Sequence, residues 1–394
     1  MLSLLARGLT NAEIATALEC SLGTVKIHVS AVLDRLGVTN RTEAAAIWLR
    51  ESAPLAALEV AASAMREDQS GPYAPDDYLT ARLLFDRLTP STLQAAAERF
   101  REVLAQRPSY APAYVGLANC LSQLAIYATG SAAELLTASG RAARRAVELD
   151  PDLATAHAAI GYARLFGQWD FAGAERDFDR ALFLSPDQPE ILRWRSILLA
   201  FTDRGEEAVE TARRSLSLNP MSFSSVINVA HVLRSTGDVA GSVTRLEAAL
   251  TTAPDDLRGR TWMALSLADI GEADRARQHA GMLLDSYPDA EIALGISGYA
   301  HGLAGDVTIA RERLAALRDH GTAPFYEALV HIALDEHDHA INGLRRAMPQ
   351  RVPMLCGLRH DPSLVRLRDH PAYPDLVDAI WGQRTRAGTV GRPA

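Results

Sequence analysis

Apolar side chains recur along this chain at helical spacing. Val25, Val29, Val32, Leu33 and Leu36 share one face of a helix, while Gly23, Lys26, Ile27 and Ser30 follow the i, i+3, i+4, i+7 pattern on the other. Polar punctuation predicts where such helices start. Thr10-Asn-Ala-Glu13 is a capping box opening a helix through Leu18, and Ser21 with Thr24 caps a second that runs to about Leu36 and stops at Gly37. Asn40-Arg-Thr-Glu43 caps a third, with Ala44, Ala45, Ile47 and Trp48 as its apolar side.

From about residue 76 the pattern acquires a 34-residue period. Small residues recur at Ala174, Ala208, Ser242, Ala276 and Ala310, and a second small column runs Ser196, Ala230, Ala264, Gly298. Prolines close the units at Pro186, Pro220, Pro254 and Pro288; Pro151 lies one residue further back than the period requires, an expansion placed near Trp169-Asp170. The columns have a steric cause. Each unit reads as a helix, a short turn such as Thr236-Gly-Asp238, and an antiparallel helix; where two helix axes approach within about 8–10 Å, only Gly, Ala or Ser fits. Proline ends the second helix, and stacked hairpins bury one continuous core beside a groove. This is the tetratricopeptide repeat pattern. Weaker copies flank the regular block: a helix from Gln94 to Pro108 with Ala96 and Phe100 inward, a longer unit with extra residues around Ala125–Gly130 before the cap Ser131, and a shortened unit from Pro324 to Ala347.

The two-residue turn between Leu18 and Ser21 joins two of the N-terminal helices into a helix-turn-helix, whose second member can enter a DNA major groove. Ala-Arg-Gly-Leu-Thr-Asn-Ala-Glu-Ile-Ala (6–15), Gly-Thr-Val-Lys-Ile-His-Val (23–29) and Leu-Asp-Arg-Leu-Gly-Val-Thr-Asn-Arg-Thr-Glu-Ala (33–44) closely resemble the LuxR-type helix-turn-helix domain. By that resemblance Lys26, Ile27 and Ser30 would face base edges, Thr24, His28 and Arg41 would hold the phosphate backbone, and the last helix would contribute to dimerisation. The family's first helix normally begins further upstream, so Met1 falls inside it; the resemblance implies either a start placed too far downstream or a degraded domain, the first being favoured. Tyr110-Ala-Pro-Ala-Tyr-Val-Gly-Leu-Ala-Asn119 and Trp169-Asp-Phe-Ala-Gly-Ala-Glu-Arg-Asp-Phe178 are similar to repeat arms found behind DNA-binding domains of bacterial regulators and beside some nucleotide cyclases, and Asp361-Pro-Ser-Leu-Val-Arg-Leu-Arg-Asp-His-Pro371 fits the way those arms end.

Composition narrows the reading. Hydrophobic residues at 48% and charged residues at 22% suit buried cores, and no apolar run reaches the roughly 20 residues of a membrane helix. The N-terminus lacks a signal-peptide pattern, and the well-separated Cys20, Cys120 and Cys356 read as reduced thiols, so a cytoplasmic protein is expected. Lys26 is the only lysine among the 40 basic residues and lies where a DNA-reading helix presents a cation. The net charge of −8 is uneven: residues 1–50 carry +1, a weak footprint for a nucleic-acid binder unless two copies act together.

Candidate chemistry is sparse. His331, His337 and His339 cluster with Asp335, Glu336 and Asp338, yet their spacing fits no established metal-ligand set. Gly295-Ile-Ser-Gly298 lacks a residue of the nucleophile elbow and falls in the small-residue column. Trp169, Trp194, Trp262 and Trp381 read as core or repeat-junction residues. No catalytic, cofactor or metal site is expected. The sequence therefore predicts an all-α chain: a helix-turn-helix domain at 1–50 with an incomplete first helix, a linker at 51–75, a tetratricopeptide α-solenoid at 76–350, C-terminal capping helices at 351–382 and a disordered tail at 383–394. The expected function is transcriptional regulation, with DNA gripped in its major groove by a dimer and a protein or peptide held in the repeat groove. The alternative is a protein-binding scaffold with a vestigial head.

Overall fold

The computed structural model describes residues 76–127, 131–220, 222–321 and 323–382, together with the isolated helical positions Val29 and Leu33. Apart from those two positions, the expected helix-turn-helix, linker and tail lie outside the described residues. The described residues are all-α with no strand, and the chain divides into two compact units, residues 1–120 and 121–394.

In the first unit, α1 (Asp76–Asp86) pairs with α2 (Pro90–Gln106), and α3 (Ala111–Ile126) begins there. The helix read from Gln94 starts four residues earlier because Thr89 caps it: its Oγ1 accepts from the Thr92 backbone N–H, and Pro90 occupies the first turn, where no donor is missed. Ala96 and Phe100 are fully buried, as their offsets required. A side chain at Gly116 would meet the Phe100 ring, so the absence of Cβ there is what lets α3 approach.

The second unit stacks helical hairpins. After α4 (Ala132–Leu149) come α5 (Ala154–Gln168) with α6 (Phe171–Leu184), α7 (Pro189–Phe201) with α8 (Gly205–Leu218), and α9 (Phe223–Ser235) with α10 (Val239–Leu250). Then follow α11 (Leu257–Asp269) with α12 (Ala273–Ser286), α13 (Glu291–Leu303) with α14 (Val307–His320), and α15 (Pro324–Ala333) with α16 (His337–Ala347). Each first helix also touches the first helix of the next hairpin, so α5, α7, α9, α11, α13 and α15 line one inner face.

Both small-residue columns are buried throughout. Ala174, Ala208, Ser242, Ala276 and Ala310 are each 0% exposed, and a Cβ added at Gly298 would sit 2.7 Å from Val330 Cγ2. The turns repeat as well. Positive φ recurs at Trp169, Asp203, Gly237, Gly271 and Gly305 in the turns of the first five hairpins, and at Asp335 in the turn of the shortened sixth. The left-handed residue reverses the chain between the two helices, and glycine occupies it without Cβ strain in the third, fourth and fifth hairpins. This column keeps the 34-residue period from Trp169 to Gly305. The extra residue behind Pro151 therefore lies before Trp169, in α5, which has 15 residues against 13 in α7.

Residues 351–382 differ from simple capping helices. They form two 3-10 turns, Pro353–Gly357 and Pro362–Leu367, and one helix, α17 (Tyr373–Trp381). The first turn packs on α5, the second on α11 and α15, and α17 on α16. Each 3-10 turn and α17 opens with proline in its first turn, where no donor is missed but where a helix arriving from the preceding residues cannot run through, so the segment bends instead of continuing the array.

Candidate functional site

Thr24, Lys26, Ile27, His28, Ser30 and Arg41 all lie outside the described residues. Of the same segment, Val29 and Leu33 are helical and half-buried. They are one turn apart on the side assigned to packing.

The structure brings together an inner face and the chain's own C-terminal segment. Cys356 Sγ donates to the Leu165 carbonyl at 3.5 Å, and the Arg351 guanidinium lies 3.6 Å over the Trp169 ring. Trp381 stacks on Phe171 at 4.0 Å with planes 14° apart. Arg359 and His360 both reach Asp203, and His370 Nε2 lies 3.0 Å from Asp338. The Tyr373 hydroxyl donates to the Leu358 carbonyl at 2.6 Å, fixing the segment's own fold. The groove expected to receive a peptide thus contains residues 353–367 of the same chain. The tryptophans are accounted for by these packings: Trp169, Trp194 and Trp381 are buried, while Trp262 is half-buried against the stacked ring of His231.

At the centre is a buried ionic cluster. Arg234, 1% exposed on α9, donates from Nε to Asp269 Oδ2 at 2.6 Å and from Nη2 to Asp361 Oδ1 at 2.7 Å and Ser363 Oγ at 2.6 Å. Asp361 also caps the second 3-10 turn by accepting from the Ser363 backbone N–H. One cation therefore faces two carboxylates, and the cluster's charges do not cancel. Burial, with the neighbouring Asp361 charge, pushes Asp269 up to about 6 against the opposing pull of Arg234. Burial also opposes ionisation of Asp361, but Arg234 and the Ser363 N–H hold its carboxyl below the ordinary value. Burial and the Arg234 charge push the nearby His231 down to about 4, so that imidazole is neutral at pH 7. A cleft of about 460 Å³ opens beside the cluster, with Val239, Pro362 and Val365 as apolar walls and Arg359 and Arg368 among its lining.

Arg234 was missed by sequence reading, although a signal existed. Its counterparts at 34-residue spacing are Ala200, Ala268 and Gly302. A long cation in a column of small residues marks a place where something other than a neighbouring helix must approach.

The histidine cluster is brought together only in part. His331, Glu336 and His339 place ligand atoms within 4.8 Å of one another, while His337 pairs with Asp335 instead. His331 accepts at Nε2 from Arg318 at 3.2 Å, which leaves Nδ1–H to donate to Glu336 at 2.6 Å, and its ring stacks on His339 at 5.1 Å. Both ring nitrogens are thereby used, so a metal ion would have to displace a guanidinium or a carboxylate. Gly295-Ile-Ser-Gly298 lies inside α13, with Ser297 1% exposed; its glycines admit Tyr326 and Val330 of α15. Among the described residues, no helix is long and apolar enough to cross a membrane.

Residues 1–48 match the family described as bacterial regulatory proteins, luxR family. A search of curated proteins returns no match. Among solved structures, the APC/C hetero-tetramer Cut9–Hcn1 is similar at TM-score 0.55 and 13% identity, covering 96% of this chain and 68% of that one. The human IFIT1 dimer with PPP-AAAA gives 0.54 and 13%, covering 83% and 89%. A thermophilic TPR protein of Thermus thermophilus gives 0.40 and 19%, covering 48% and 97%. At 13% identity the first two show a likeness of fold alone: a solenoid of helical hairpins.

Proposed function

We propose that this protein is a DNA-binding transcriptional regulator whose repeat array carries a protein-binding role. The observation that carries the first half is the luxR-family match at residues 1–48, on the same segment where helical faces and caps give a helix-turn-helix. In this reading Lys26, Ile27 and Ser30 meet base edges in the major groove, and Thr24, His28 and Arg41 hold phosphates. Two copies act together, since the +1 charge of residues 1–50 supplies little attraction to a single head. Protein binding is supported by the array's likeness in fold to Cut9, which is solved in complex with Hcn1. The reading places the protein in the cytoplasm.

Anisotropy of labelled DNA from the protein's own upstream region tests the head. Lys26→Ala should weaken binding, and the slope of log affinity against log salt should shrink by about one unit if that lysine contacts phosphate. Unchanged affinity and slope would remove Lys26 from the interface. The same low charge favours one second reading, a scaffold whose head no longer grips DNA. That protein would show no saturable DNA binding at any salt concentration.

A further inference from the structure

We infer that residues 353–381 are a permanent closing strap whose part 353–367 occupies the inner face, and that the array's partner binds without entering that face. The inference refines the partner half of the proposed function and is independent of the DNA-binding half.

Three observations carry it. First, the strap is tied to four of the six hairpins: to the Leu165 carbonyl of α5, to Arg234 of α9, to Asp269 of α11 and, through His370, to Asp338 of α16. Trp381 then returns to Phe171 in the first of these hairpins. Second, the strap's apolar side chains are buried like core. Leu355, Leu358, Leu364, Leu367 and Ile380 are each 0% exposed. Third, the strap completes the ionic cluster: Asp361 and Ser363 supply two of the three groups to which the Arg234 guanidinium donates.

Magnitudes separate a permanent strap from a displaceable tail. Burying one Leu or Ile shifts an equilibrium by roughly tenfold or more. Five such side chains put the open state below about one molecule in 10⁵, before the stack and the ionic cluster are counted. A peptide competing in trans must also overcome a tethered segment whose effective concentration is on the order of millimolar. A second consequence concerns unfolding. Open solenoids fray from their ends because each repeat touches only its neighbours. Here a contact such as Cys356 to Leu165 spans 191 residues, so the hairpins it encloses should open together.

Hydrogen exchange on the full chain, read by mass spectrometry, tests this directly. Peptides covering 355–367 and 373–381 should exchange within about a hundredfold of those from α9 and α11, in the slow class that reports global opening. In parallel, a fluorescein-labelled peptide of residues 352–370, titrated with the full chain, should show no saturable binding. The proposal is overturned if the strap exchanges more than a hundredfold faster than α9 and α11, or if the labelled peptide binds saturably. Neither readout involves DNA, so failure here is distinguishable from failure of the regulator reading.

Discussion

Replacing Arg234 by methionine probes the account at its most exposed point. Methionine keeps most of the stem volume but removes the cation that faces Asp269 and Asp361. Arg234 and Asp269 are 1% and 2% exposed, so solvent screening does not soften the loss. Removing one partner of a buried ion pair costs about 3–5 kcal/mol, because the remaining charges must stay buried unpaired or take up protons. Urea unfolding followed by far-UV circular dichroism at pH 7 reads this as a lower midpoint. The pH dependence supplies the signature. In the variant both carboxyls have folded pKa values raised above the unfolded one, and such groups restore stability as pH falls through the folded value. The loss should therefore shrink between about pH 8 and about pH 5. Adding Asp269→Asn and Asp361→Asn should recover much of the stability, since a cluster neutralised as a whole leaves no orphan charge. A loss below about 1 kcal/mol at pH 7, or one equal at both pH values, would refute the argument.

Other outcomes follow from the same packing. His231, held near 4, stays neutral in the folded state, so its own contribution to stability is lost as pH falls from about 6.5 toward 4, by as much as about 3 kcal/mol, while Asp269, raised to about 6, contributes in the opposite direction. His231→Phe should flatten that part of the pH profile, measured by urea unfolding at pH 7 and pH 5. Gly298→Val would set a Cβ against Val330 and Arg313 and should cost about 1–3 kcal/mol or more. Gly281→Ala, in α12 with nothing within 4 Å, should instead stabilise by about 0.5–1 kcal/mol, and thermal melts of the two variants give the contrast.

The hairpins were legible because their causes are local and repeated. Small residues at a fixed period record helix contact, and the buried Ala208, Ser242 and Ala276 stand where that logic put them. The shortened unit from Pro324 to Ala347 was equally readable, since proline, turn and helix lengths are set by neighbours in sequence. The start of α2 was misplaced because Thr89 and Thr92 cap one another, a pattern outside the usual acidic capping box. The strap's course was not legible. Its contacts join Leu165 to Cys356 and Arg234 to Asp361, pairs separated by 191 and 127 residues, and no periodic signal connects them. The Arg234 cluster was hidden for the same reason, although a lone arginine in a column of Ala200, Ala268 and Gly302 was a visible anomaly. The side chains proposed to face DNA were read from helical spacing and family resemblance.

Binding of the full chain to labelled DNA from its own upstream region, by anisotropy at low and moderate salt and against excess random DNA, tests the central claim most directly. The account predicts saturable, salt-sensitive binding that random DNA does not displace. Absence of saturable binding, or equal displacement by random DNA, would contradict it and leave the closed repeat array as the working part of the molecule.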